Sequence, residues 1–91
     1  MEHDLLLAEA VLGRDAEEFV ASELGRFILG RCDVEITDAM DELSRVWSWR
    51  RRRIQELQNR IWRARSMKQW IVELVSNGRA AEAALNETEE E

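Results

Sequence analysis

The stretch Val46–Lys68, VWSWRRRRIQELQNRIWRARSMK, decides the fold. It holds Arg50, Arg51, Arg52, Arg53, Arg60, Arg63, Arg65 and Lys68, with Arg45 just before it, and it holds Trp47, Trp49 and Trp62, three of the four tryptophans. Within it Ile54, Leu57, Ile61 and Ala64 recur three, four and three residues apart, the seam of an amphipathic helix. Ser48 is the natural break ahead of that seam, because a serine side chain can cap a helix start. The reading is a helix over 49–65. The same phase runs on through Lys68, Ile71 and Val75, so the helix either continues to Asn77 or restarts at Ser66, where Ser66-Met67-Lys68-Gln69 matches a capping box.

Upstream, Asp4 caps a short apolar helix over 4–12 that Gly13 is expected to end. A second helix is read over 15–46. It opens on the capping-box pattern Asp15-Ala16-Glu17-Glu18 and carries apolar positions at Val20, Leu24, Phe27, Ile28, Ile36, Met40, Leu43 and Trp47. At 1.5 Å per residue it would reach about 47 Å, longer than a compact small domain needs. Gly25 and Gly30 weaken its interior or admit a close neighbour. Downstream, Asn77-Gly78 ends the third helix, residues 79–85 add a short C-terminal helix, and residues 86–91 form a disordered acidic tail. The fold class is therefore all-α: a single domain over 1–85, built as an antiparallel helical hairpin with a short helix at each end. The absence of proline and the rarity of glycine (4 of 91 residues) agree with that, since the main helix breakers are scarce.

Charge is laid out in blocks. Residues 1–44 sum to −9, residues 45–68 to +8 and residues 69–91 to −5, which gives the net −6. Folding back at Ser48 sets the basic stretch beside Asp33, Glu35, Asp38, Asp41 and Glu42, so Arg50, Arg51, Arg52, Arg53, Arg60 and Arg63 are read first as charge-pairing residues that fix register. The alternative is phosphate contact, with Trp47, Trp49 or Trp62 stacking on bases. Four successive arginines on a helix point about 100° apart, which argues against one concentrated patch.

Trp47, Trp49, Trp62 and Trp70 are too many indoles for so small a core, and they are read as an interaction surface. That implies a homo-oligomer or an obligate partner. Catalysis is not expected: His3 stands alone, no nucleophile has a base beside it, and no phosphate loop is present. No cofactor or metal site is expected either, since Cys32 is the single cysteine and the acidic residues lack metal-loop spacing. A lone cysteine suits a reducing compartment. Neither a signal peptide nor a membrane span is expected.

The run Trp49-Arg50-Arg51-Arg52-Arg53-Ile54-Gln55-Glu56-Leu57-Gln58-Asn59-Arg60-Ile61-Trp62-Arg63-Ala64, followed by Trp70-Ile71, resembles small uncharacterised helical proteins of tailed bacteriophages and prophages. The resemblance is clearest over the middle and C-terminal parts. It transfers no residue role, because that group carries no established activity. It implies a phage protein in the host bacterial cytoplasm or the virion, aiding assembly or packaging or engaging a host machine. Two further expectations stand beside this: nucleic-acid binding through the Arg50–Arg53 helix, and acidic helices that imitate nucleic acid to occupy a host protein.

Overall fold

The computed structural model describes residues 2–90 and is all-helical, with α1 over Glu2–Ala21, α2 over Glu23–Arg45 and α3 over Arg51–Glu90. The 40 residues of α3 account for the shape, since 1.5 Å per residue gives about 60 Å. The molecule measures 63 × 27 × 15 Å. Its radius of gyration is 18.4 Å, against about 12 Å for a compact chain of this length.

Contacts along the molecule give the chain directions. Arg14 pairs with Glu82, Glu17 with Arg79, Asp33 with Lys68, and Glu42 with Arg53. As one member of each pair advances, the other retreats, so α3 runs antiparallel to α1 and α2 in turn. The reversal occupies residues 46–50: the Val46 amide closes the end of α2 on Glu42 O at 2.9 Å, and the Arg50 amide donates to Trp47 O at 3.0 Å. Ser48 lies inside this turn rather than at the cap. The first turn of α3 is anchored instead on the Arg50 carbonyl, which accepts from the Ile54 amide at 3.1 Å.

Several boundaries differ from those read in the sequence. The helix expected over 15–46 is broken at Ser22, whose backbone is extended (φ −74°, ψ 160°). The Ser22 hydroxyl donates to Phe19 O at 2.6 Å and accepts from the Gly25 amide at 2.9 Å, so one side chain ends α1 and starts α2. Gly25 is required there, because a methyl group in its place would run into the Phe19 carbonyl.

Gly13 and Gly78, read as helix ends, are both interior and buried. They sit where α1 and α3 meet: a methyl group on Gly13 would stand 2.6 Å from Gly78 Cα. Good helix formers follow each of them and no proline intervenes, so the chain continues helical through both. The short N-terminal and C-terminal helices are therefore parts of α1 and α3. Ser66 does not interrupt α3. The segment expected to be a disordered tail carries the helix on to Glu90, where the Thr88 hydroxyl donates to Ala84 O at 3.0 Å; Glu91 lies outside the described residues.

The core is slender. Ala39, Leu57 and Ile61 form its centre, flanked by Ile36 and Leu43. Among the described residues, Leu57 is the one large side chain that is fully buried. The α1–α3 contact is made by small residues instead, with Ala10, Gly13 and Ala16 buried on α1 and Gly78 and Ala81 on α3. The seam Ile54, Leu57, Ile61 and Ala64 does face inward, but Leu24, Phe27, Met40 and Trp47 of the upstream pattern are exposed. A body only 15 Å thick is a single layer of helices, and such a layer has one apolar edge to bury per helix and no second sheet or layer to cover the rest.

Candidate functional site

The indoles are all on the surface. Trp47 and Trp49 stand in the turn between α2 and α3 at 69% and 72% exposure, and Trp62 and Trp70 project from α3 at 66% and 62%. Tryptophan carries a large apolar area, so four exposed copies on a slender body mark contact surface rather than core. Trp62 and Trp70 are eight residues apart, which places them about 80° apart around the α3 axis.

Of the six arginines read as charge-pairing or phosphate-contacting, Arg53 alone has an ion-pair partner among the described residues. Its guanidinium grips both oxygens of Glu42, with Nη2 at 2.7 Å from Oε1, and reaches Glu56 at 3.1 Å. A planar fork on a carboxylate is the arrangement that fixes relative position best. These hydrogen bonds hold the Glu42 carboxyl below its ordinary pKa, helped by the positive charges of Arg53, Arg60 and Arg50. The same bonds raise the pKa of Arg53, so it stays charged. Asp33 pairs with Lys68 across the helices, while Asp41 turns to Arg45 on its own helix. Arg50, Arg51 and Arg52 project into solvent beside Trp49, and Arg60 and Arg63 border Trp62.

The turn is consequently a basic and aromatic corner. The first turn of α3 holds no acidic residue. Arginines there stand on the positive end of the helix dipole, which the sequence does nothing to offset.

A third region was not anticipated. Phe27, Ile28, Arg31, Cys32 and Glu35 of α2 and Arg63, Ala64 and Met67 of α3 line an open groove of about 330 Å³. Phe27 is 70% exposed on its rim. Trp70 lies three residues beyond Met67 and Leu74 seven beyond it, so both continue the same face of α3. The sequence signal was present in the spacing Arg63, Met67, Trp70, Leu74, a second stripe beside the buried seam. It was hidden because Phe27 and Ile28 read equally well as buried.

No group of three or more metal-binding side chains occurs among the described residues, and no helix is long and apolar enough to cross a membrane. Comparison with protein-family models, with curated proteins and with solved structures finds no match.

Proposed function

We propose that the chain is a small, non-enzymatic bacteriophage protein that acts by protein–protein contact: a helical hairpin that self-associates and engages a phage structural protein or a host machine, in the host cytoplasm or in the virion. The observation that carries this reading is the exposure of all four indoles on a body too thin to bury them. Exposed aromatic anchors of this kind are what protein interfaces are built on. The resemblance of the segment from Trp49 to Ala64 to phage proteins supplies the setting. The test is capture with tagged chain from phage-infected or expressing bacteria, followed by mass spectrometry, with a Trp62→Ala/Trp70→Ala variant alongside. A specific protein retained by the unmutated chain and lost by the variant supports the reading; identical captures from both would defeat it.

The basic corner favours a second reading. Arg50, Arg51 and Arg52 have no carboxylate within ion-pair distance among the described residues and sit beside Trp49. That combination suits phosphate contact with base stacking. Oligonucleotide binding that falls with salt, and that disappears when Arg50, Arg51 and Arg52 become glutamine, would support this reading. Competition for a DNA-binding host protein without any DNA binding would instead favour acidic mimicry by α1 and α2.

A further inference from the structure

The groove between α2 and α3 has apolar residues at one end and unpaired opposite charges at the other. Toward α1, Phe27 and Ile28 line it opposite Met67, and helical spacing puts the exposed Leu24 and Trp70 one turn further along α2 and α3. Toward the turn, Glu35 faces Arg63 across the groove without an ion pair, and Asp38 and Arg60, one turn further on each helix, have no ion-pair partner among the described residues. Of these four, the acids lie on α2 and the bases on α3, at matching heights; Arg31, also on α2, lines the groove one turn before Glu35.

We propose that this face is the interface of a two-fold dimer whose axis runs along the length of the rod. This rests on the reading of the chain as a protein-contact module and names the partner for one face of it: a second copy. Such an axis keeps every height of the rod and lays α2 of one copy on α3 of the other. Phe27 and Ile28 then cover Met67 and Trp70 of the second copy, while Glu35 and Asp38 meet its Arg63 and Arg60. Each contact is made twice, as a closed two-fold requires. The result is a second layer of helices for a body that has only one, with every helix beside antiparallel neighbours.

Charge selects this axis over its competitor. A two-fold running across the rod and centred on the groove would lay α2 on α2 in opposite directions. Glu35 and Asp38 would then lie on Ile28 and Leu24 of the second copy, so neither carboxylate would meet a cation across the interface.

Sedimentation equilibrium on the full chain tests the proposal. The unmutated protein should sediment at twice its chain mass. Phe27→Glu, a change at an exposed position that leaves the monomer helical by circular dichroism, should raise the dimer Kd roughly thirtyfold or more. Glu35→Arg and Arg63→Glu should each weaken the dimer by about tenfold, and the two together should recover most of that loss, because the exchanged charges again meet their opposites.

A dimer insensitive to Phe27→Glu, or a charge exchange no better than the product of its single changes, would overturn this interface. A protein that stays monomeric at its highest soluble concentration would do the same. Tryptophan-dependent capture of another protein would in that case leave the protein-contact reading standing, so the two ideas fail separately.

Discussion

Gly13 of α1 and Gly78 of α3 lie backbone against backbone, and neither could carry a side chain without displacing the other. A methyl group on Gly78 would stand 2.5 Å from Gly13 Cα and 3.1 Å from Glu9 O. The missing side chains let two helices approach more closely than leucine or alanine would allow, and the flanking Ala10, Ala16 and Ala81 complete the contact. In an open position alanine stabilises a helix over glycine by about 0.5–1 kcal/mol. At Gly30, where a methyl group meets nothing within 4 Å, that gain should appear as a higher melting temperature. At Gly13 the same change should be destabilising by about 1–3 kcal/mol, the usual cost of overpacking. Thermal melts followed by circular dichroism check the pair, and a stabilised Gly13→Ala would show that α1 does not contact α3 in this way.

Leu57 is fully buried at the centre of the apolar cluster that joins α2 to α3, against Ala39 and Ile61. Truncation to alanine removes three carbons and leaves a void, so Leu57→Ala should cost about 2–5 kcal/mol. Since so little else holds α2 to α3, that loss is a large fraction of the stability of a small domain. Urea titration of both proteins gives the difference directly. A cost under about 1 kcal/mol would mean that the site collapses or is not the core.

The parts of this fold that could be read in advance are those governed by local periodicity. The repeat Ile54, Leu57, Ile61, Ala64 announced a buried seam, whereas the break ahead of it rested on Ser48 as a helix cap, and Ser48 lies inside the turn instead. What misled was glycine. A glycine after an apolar run is a good helix stop, and only the tertiary partner reveals that Gly13 and Gly78 serve close packing instead. The break at Ser22 was masked by the opposite problem, since Glu23, Leu24 and Arg26 continue a helical pattern without interruption and the cap depends on a single hydroxyl. The surface role of Phe27 was equally hidden, because exposure depends on whether another layer covers it, and that lies outside the chain's own periodicity.

Ser22 holds the angle between α1 and α2 through a donated and an accepted hydrogen bond. Ser22→Ala loses the cap and should cost about 1 kcal/mol. The loss should be local. Amide hydrogen exchange ought to quicken around the first turn of α2, especially at Gly25, while the Leu57 region stays as protected as before. Uniform acceleration along the whole chain would show that the break is not an independent hinge point.

Glu42 and Arg53 join the two ends of the reversal, and their contact has a definite dependence on pH. Hydrogen bonds from Arg53 hold the Glu42 carboxyl below its ordinary value of 4.5. A carboxyl with a depressed pKa in the folded state contributes stability that is fully present above its unfolded pKa and is lost as pH falls through the folded one. Arg53 remains charged over the same range, so the titration belongs to Glu42. Stability should therefore decline as pH drops below about 4.5, and Glu42→Gln should remove part of that decline. The comparison is best made by urea midpoints at about pH 7 and about pH 3, where the difference between the two proteins should be smaller at the lower value. Glu42→Gln as stable as the unmutated chain at neutral pH would mean that the fork on Arg53 adds nothing to the docking of α2 on α3. A gap that persists undiminished in acid would assign the loss to packing rather than to charge.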